Sequence, residues 1–185
     1  MYSLSVPKEK EMEGRQSISI EIQRLMELYG NDVLRTSYMY LKNRQSAEDA
    51  YQEVFIKVFN KFESFKGESS EKTWIIKIAI NVCKDMLRGS WLKRVLLTDR
   101  LASKPGNMDI EDKIIRKGDS RLLFEAVLAL PPVSKDVIML YYYHGYDTAE
   151  IAGILEIAEG TVRSRLHRGR ELLRKELGGR FDIND

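Results

Sequence analysis

Apolar residues recur at steps of three and four along most of this 185-residue chain, which is the period of one face of an α-helix. The longest such stripe contains Ala47, Ala50, Tyr51, Val54, Phe55, Val58, Phe59 and Phe62. No run alternates strictly between apolar and polar residues, as a half-buried strand would, and only four Pro interrupt the chain. The sequence therefore predicts an all-α fold.

Breaks in this periodicity predict two small helical domains joined by a linker. The apolar period fades after residue 97, and Pro105-Gly106-Asn107 is a strong helix breaker that acidic residues follow. In chain order we expect a disordered tail (1–17), a first domain (18–97), the linker (98–119), a second domain (120–178) and a short tail (179–185).

The first domain contains a loop and a second amphipathic helix after the long stripe. Ser46 is expected to cap the helix that carries the stripe. Gly and Ser interrupt the period over residues 62–73, which predicts a loop. The helix over residues 74–88 is apolar on most sides, so its polar residues form a narrow strip. This basic strip consists of Lys77, Asn81, Lys84 and Arg88, with Asp85 at its edge.

The second domain is predicted to contain four helices, of which the last two form a helix-turn-helix. The expected boundaries are Pro131-Pro132 after the first helix, Ser134 as the cap of the second, Gly145 after it, a short third helix from Thr148 to Leu155, and a long fourth helix from Ala158 or Glu159 to Gly178. A short helix, a three-residue turn and a long helix are the lengths typical of a helix-turn-helix.

The long fourth helix is the candidate DNA-recognition element. Its outer face presents Thr161, Arg163, Ser164, His167 and Arg168, and Arg165 and Arg170 add positive charge. Recognition helices point their first residues at base edges, where Arg pairs with guanine and Ser or Thr contacts bases, whereas later cations such as Arg170 meet phosphate. A basic helix inside a bundle is the alternative, but it explains the charge alone and not the helix-turn-helix spacing.

Composition excludes several other classes of protein. One cysteine, Cys83, allows no internal disulfide, and its apolar neighbours predict a buried thiol. Only two His occur, and they are scattered, which argues against a metal site. The sequence also contains no set of a nucleophile, a His and an acid, and no phosphate-binding Gly loop. We therefore expect no catalysis, cofactor or metal. The polar residues 1–19 do not resemble a signal peptide, and no apolar run reaches about 20 residues, which predicts a cytoplasmic protein without membrane insertion.

Four motifs, at residues 47–55, 73–81, 147–152 and 159–170, resemble those of a known family, the extracytoplasmic-function group of bacterial RNA polymerase sigma factors. Residues 147–152 (DTAEIA) and 159–170 (EGTVRSRLHRGR) are similar to region 4 of that family. Residues 47–55 (AEDAYQEVF) resemble region 2.2, and residues 73–81 (TWIIKIAIN) resemble regions 2.3 and 2.4. The motifs come in the order of the family, and the resemblance spans nearly everything from Leu25 to Leu177.

The resemblance implies three contact surfaces. Asp49, Gln52 and Glu53 would bind the clamp helices of the polymerase's largest subunit. The basic strip would meet the non-template strand of the proximal promoter element, with Asn81 and Asp85 on bases and Lys77 and Arg88 on the backbone. Residues 67–73 would collar a flipped base, and Trp74 either lines that pocket or packs as an ordinary core tryptophan. The outer face of the fourth helix would read the distal element through Arg163, Ser164, His167 and Arg168.

The resemblance also implies partners and contains three departures. An anti-sigma protein is expected besides core polymerase and promoter DNA, and the acidic linker resembles the segment that enters the RNA path of the polymerase. Glu71 stands where the family often has an aromatic residue, Glu156 where Gly or Asn is common, and Ala158 where a capping Ser or Pro is frequent.

Two other functional classes remain to be compared with a sigma factor. An autonomous helix-turn-helix regulator would bind duplex operators without polymerase, but it leaves the basic strip and the Gln52–Glu53 face unexplained. An enzyme has little support, because His144 and His167 lack acidic partners at a suggestive spacing.

Overall fold

The computed structural model describes residues 6–96 and 118–178, with side chains over residues 16–89 and 122–178. Every regular element in these ranges is a helix, which confirms the all-α prediction. The chain divides into two compact units between Gly106 and Asn107. The described residues of each unit are named the first lobe and the second lobe. The predicted linker, apart from its last two residues, lies outside the described residues, as does the final tail.

The first lobe consists of three helices that pack against one another. They are α1 (Val6–Leu41), α2 (Arg44–Lys61) and α3 (Glu71–Leu96), with a short 3₁₀ turn, Phe62–Ser64, after α2. Side chains from all three helices form the core, and the largest of them that are fully buried are Leu25, Val33, Val54, Val58, Ile75, Ile76 and Ile80. Cys83 is buried in α3, as its apolar neighbours predict.

Two expectations for the first lobe are corrected. Helix α1 begins at Val6, so the backbone of residues 6–17 is helical rather than disordered. Lys and Glu, which dominate residues 8–13, favour helix, and Pro7 is tolerated in a first turn. Helix α2 begins one turn before the predicted cap, because Asn43 caps it by accepting a hydrogen bond from the Ser46 amide at 2.9 Å.

The second lobe contains the four predicted helices. They are α4 (Gly118–Ala129), α5 (Pro132–Ile138), α6 (Thr148–Leu155) and α7 (Glu159–Leu177), and a π-helical turn, Met139–Tyr143, extends α5. Pro131 precedes α5 as its N-cap. Ser134 is therefore not the cap but a buried residue within α5.

A glycine lets α7 approach α5 closely. A Cβ atom added at Gly169 would lie 2.7 Å from Cγ1 of Ile138 and 3.5 Å from Cβ of Ser134. The 2.7 Å distance to Ile138 is shorter than any real carbon–carbon contact. Because the side chain of Ile138 is itself buried, it has little room to move away. Gly169 therefore sets the depth at which the candidate recognition helix lies in this lobe.

Among the helices of the described ranges, none is long and apolar enough to cross a bilayer.

Candidate nucleic-acid and polymerase interfaces

Local backbone chemistry positions the helix-turn-helix. Asp147 caps α6 in a capping box: its carboxylate accepts from the Glu150 amide at 2.8 Å, and the Glu150 carboxylate accepts from the Asp147 amide at 2.9 Å. Helix α6 ends at Glu156, which has a φ of 56° in the left-handed region. Ala158 precedes α7 and gives it no side-chain cap. Glu156, which stands where the family commonly has Gly or Asn, thus adopts the left-handed conformation that those residues tolerate best, and Ala158 leaves α7 without the cap that Ser would supply.

Glu159, which the sequence analysis treated only as a helix start, joins the two helices of the motif. Its Oε1 accepts a hydrogen bond from Thr148 Oγ1 at 2.5 Å and another from Arg163 Nη2 at 2.7 Å. The Thr148 bond, and next the Arg163 bond and charge, lower the pKa of the Glu159 carboxyl below its usual 4.5. The carboxylate is thus ionised at neutral pH and lies at the positive N-terminal end of α7.

The outer face of α7 is open to solvent as predicted. Arg163, Ser164, His167 and Arg168 are exposed, and Thr161 and Arg165 are half-buried at its sides. The Ser164 hydroxyl donates to the Thr161 carbonyl at 3.0 Å, which leaves its oxygen able to accept. His167 Nε2 lies 3.7 Å from the Glu171 carboxylate.

Arg170 does not belong to this exposed face. Only 9% of the residue is exposed, its Nε donates to the Tyr142 hydroxyl at 2.8 Å, and its guanidinium lies 5.4 Å from the ring centre of Tyr141 and 5.7 Å from that of Tyr142. The guanidinium therefore ties α7 to the π-helical turn. This corrects the prediction that Arg170 contacts phosphate, and the partner that decides it is 28 residues away in sequence.

The basic strip forms on one side of α3. Asn81, Asp85 and Arg88 are exposed, whereas Lys77 and Lys84 are half-buried. Arg88 Nη1 lies 3.4 Å from Asp85 Oδ1, so these two charges partly neutralise each other. Between residues 75 and 83 the remaining side chains of the helix are core: Ile75, Ile76, Ile78, Ala79, Ile80, Val82 and Cys83.

An aromatic pair stands at the N-terminal end of the strip. The rings of Trp74 and Phe65 stack with their centres 4.7 Å apart and an angle of 28° between their planes. Trp74 is half-buried, so part of its ring is accessible to solvent. Ser70 caps α3 by accepting from the Thr73 amide at 3.1 Å. The collar predicted over residues 67–73 therefore ends in the first turn of α3.

Two ion pairs between helices brace this end of α3. The Arg24 guanidinium forms a two-pronged contact with the Glu71 carboxylate, at 2.6 and 3.2 Å, and Lys72 Nζ lies 3.1 Å from Asp32. The hydrogen bond to Glu71, followed by that to Glu21, raises the pKa of Arg24. Glu71, the departure from the family pattern, thus serves as an anchor to α1.

The outer face of α2 carries Asp49, Gln52 and Glu53, all exposed as predicted. The same face carries two apolar residues that the sequence analysis assigned to the core stripe or left out: Phe59 is 39% exposed and Ile56 is 55% exposed. The exposure of Phe59 corrects its place in the buried stripe. The sequence gives little indication that Ile56 and Phe59 are exposed, because an apolar residue next to an apolar stripe is normally predicted to be buried.

A groove of about 420 Å³ connects this face to the basic strip. Its lining residues come from α2 and α3: Asp49, Glu53, Lys57, Val82, Asp85 and Met86. Asp85 therefore borders both the strip and the predicted polymerase face. Among the described side chains, those of the groove included, no group of three His, Cys, Asp or Glu is arranged to hold a metal ion.

Comparisons with known proteins agree with this architecture. Residues 25–93 match the family described as sigma-70 region 2, and residues 120–173 match sigma-70 region 4. The sigma factor SigX of Bacillus subtilis is 30% identical over 160 residues, covering 84% of this chain and 82% of SigX. The sigma-E factor of Haemophilus influenzae is 32% identical over 163 residues, covering 83% of this chain and 85% of its own.

Two solved structures share the fold. RpoE of Bartonella quintana, solved with the anti-sigma factor NepR, has a TM-score of 0.70 at 20% identity and covers 87% of this chain and 99% of its own. CnrH, solved with the cytosolic domain of CnrY, has a TM-score of 0.64 at 17% identity, with coverages of 90% and 95%. The chain belongs to the extracytoplasmic-function group of RNA polymerase sigma factors, non-enzymatic initiation factors that give the polymerase its promoter recognition.

Proposed function

We propose that this sigma factor acts through three separate surfaces: α2 binds core polymerase, α7 reads the distal promoter element as duplex, and α3 captures the proximal element as a single strand. The observation that supports the assignment best is the shape of the two basic faces. Most of the circumference of α7 is exposed to solvent, whereas the polar residues of α3 form a narrow strip beside stacked aromatic rings.

The outer face of α7 suits a major groove. Arg168 and Arg163 have the length and planar donor set that pair with guanine, and the Ser164 oxygen can accept from a base amino group. Thr161, Arg165 and His167 surround them at the sides. Arg170 has no part in this set, because its guanidinium is bound within the lobe.

The basic strip suits unpaired nucleotides. Bases that leave a duplex are bound by amides on their edges and by aromatic rings on their faces, with cations on the backbone. Asn81 supplies the amide, Trp74 the ring, and Lys77 and Arg88 the cations. Asp85 accepts from base amino groups in this assignment, and Lys84 adds charge next to the backbone.

The α2 face has the composition of a protein interface rather than a nucleic-acid surface. Its polar members Asp49, Gln52 and Glu53 surround exposed Ile56 and Phe59, which resembles the apolar centre and polar rim of many interfaces. The two carboxylates would repel DNA and attract basic residues of a polymerase subunit.

A regulatory partner and a compartment complete the proposal. RpoE, which shares this fold, is bound by an anti-sigma factor in its solved structure. We therefore include an anti-sigma protein among the partners of this chain. Because initiation takes place where the polymerase meets the chromosome, we assign the protein to the cytoplasm.

The test is run-off transcription from a pool of genomic promoter fragments, using purified bacterial core polymerase with and without the protein. Selective initiation only in its presence is the expected result. If the protein neither binds core polymerase nor starts transcription, yet shifts duplex DNA alone, it is an autonomous regulator and the surfaces assigned to the first lobe are wrong.

A matched pair of variants tests the α2 surface in the same assay. Asp49→Lys reverses a charge on that face and should weaken capture of core polymerase about tenfold or more. Glu27→Lys makes the same change at an exposed site on α1 and should leave capture unchanged. Equal weakening by both would remove the interface from α2.

A further inference from the structure

Glu159 links two other side chains, those of Thr148 and Arg163, at the entrance of the helix-turn-helix. Thr148 is the first residue of α6, Glu159 is the first residue of α7, and Arg163 lies one turn along α7. A single carboxylate oxygen accepts from both partners, at 2.5 Å from Thr148 Oγ1 and 2.7 Å from Arg163 Nη2. The turn between the helices is thus bridged by a side chain whose other contact is a candidate DNA-reading residue.

The bridge makes an ordinarily weak ion pair more specific. An exposed Glu–Arg pair one turn apart contributes little, because both long side chains lose rotamer freedom. Here the Thr148 hydroxyl already fixes the carboxylate of Glu159, so only Arg163 has to be ordered. The pair of Arg88 and Asp85 on α3 makes a useful contrast, since its contact is longer, at 3.4 Å.

Arg163 remains available to DNA while it is held. Its side chain is 69% exposed, and the contact with Glu159 uses one terminal nitrogen. A guanidinium has five N–H donors, so others can still reach a base edge. Orientation by a neighbouring acid would therefore restrict which base pair the guanidinium reaches and would not block it.

We infer that Glu159 is a positioning residue for promoter selection: anchored by Thr148, it orients Arg163 at the entrance of the recognition helix and so determines which base pair of the distal element that arginine reads. The inference rests on the proposed function of α7. Glu159 itself need not touch DNA, since its negative charge opposes contact with phosphate.

Two simpler roles make different predictions. A carboxylate that only repels phosphate would weaken binding to every sequence equally, and its removal would strengthen binding to all sequences. A carboxylate that only ties α6 to α7 would change stability without changing preference. Glu176 provides the control for charge, because it is an exposed glutamate near the C-terminal end of the same helix.

The experiment uses the full chain with core polymerase on promoters whose distal element is randomised, and sequences the transcripts that are made. Arg163→Ala first identifies the base pairs whose preference depends on that arginine. Glu159→Gln and Thr148→Val should each flatten preference at those same base pairs by about fivefold, which is a partial loss of a good Arg–base contact. Glu176→Gln removes the same charge and should leave the preference profile unchanged.

The outcomes separate the inference from the proposal beneath it. If the unchanged protein shows no preference in the distal element, the proposed function of α7 fails, and this inference fails with it. If the unchanged protein selects, but Glu159→Gln and Thr148→Val give the profile of Glu176→Gln, only the inference is overturned. Thermal unfolding of each variant identifies a purely structural effect, which lowers the melting temperature with an unchanged profile and likewise overturns it.

Discussion

The two lobes each expose a basic face on a helix, but they bury very different fractions of that helix. In α3 the residues from Ile75 to Cys83 are buried except for Lys77 and Asn81, so the polar residues form a strip one or two side chains wide. In α7 burial follows a single side, and most of the circumference faces solvent. A strip of that width can follow a single strand, whereas a duplex groove needs a helix that enters it.

The lobes also differ in what fixes the exposed helix. Helix α3 is braced at its start by ion pairs from α1, through Arg24 and Lys72. Helix α7 is held by close backbone packing at Gly169 and by the buried guanidinium of Arg170. We therefore expect substitutions that disrupt the contacts of Gly169 or Arg170 in the second lobe to cost more stability than substitutions that remove the ion pairs of the first lobe.

The largest effect is expected at the close contact of α7 with α5. Gly169→Val places branched carbons where even one Cβ would lie 2.7 Å from Ile138, and should destabilise the second lobe by about 3 kcal/mol. Gly153→Ala in α6 is the control, because no atom lies within 4 Å of an added Cβ, and it should be neutral or stabilising. Urea unfolding of each variant measures both. Equal effects would show that Gly169 does not set the packing depth.

The next effect separates two arginines on the same helix. Arg170→Ala removes a partly buried hydrogen bond and two ring contacts, and should cost about 2 kcal/mol of stability. Arg168→Ala should change stability by less than about 0.5 kcal/mol and instead reduce initiation at promoters with a good distal element. Thermal unfolding and transcription of both variants provide the comparison. A stable Arg170→Ala protein that fails only in DNA recognition would return Arg170 to the DNA face.

Each lobe has one residue other than glycine in the left-handed region, and the two should respond alike. Lys42, after α1, has a φ of 54°, and Glu156, after α6, has a φ of 56°. Replacing either with Gly removes the Cβ clash of that conformation and should raise stability by up to about 1 kcal/mol. Unfolding midpoints test this. A loss at either position would mean that its side chain contributes more than its backbone strain costs.

The smallest stability effect is expected at the brace of the first lobe. Arg24→Glu places a third acid beside Glu21 and Glu71 and should lower the melting temperature by about 2 °C or less, because both partners of the Arg24–Glu71 pair are partly exposed to solvent. The double variant Arg24→Glu with Glu71→Arg restores opposite charges and should recover it. Permanganate reactivity of the proximal element, which reports its melting, should likewise fall in Arg24→Glu and recover in the double variant. Failure of the double variant to recover either quantity would show that the pair is not a brace.

Local signals explain what the sequence predicted well. The bounds of α6 and the start and end of α7 follow from residues adjacent to them: Asp147 caps one helix, and Gly178 ends the other in the left-handed region. The polar faces of α2 and α3 follow from helical period alone. In each case the deciding chemistry lies within one turn of the residue concerned.

Tertiary contacts explain what the sequence did not predict. The sequence places Arg170 among the cations that contact DNA, because nothing near it in sequence shows that the π-helical turn brings the Tyr142 hydroxyl into contact with it. Asn43 and Ser46 are both good caps, and only the two-residue connection from α1 decides between them. The exposure of Ile56 depends on where α1 and α3 pack, and periodicity cannot show that.

The central claim is that each lobe reads a different promoter element in a different form. The most direct test is initiation from a promoter library randomised at both elements, sequenced for the unchanged protein, Asn81→Ala and Arg168→Ala. We predict that Asn81→Ala flattens preference only in the proximal element and Arg168→Ala only in the distal one, each by about fivefold or more. If both variants flatten the same element, or neither changes any preference, the division of labour between the lobes is contradicted.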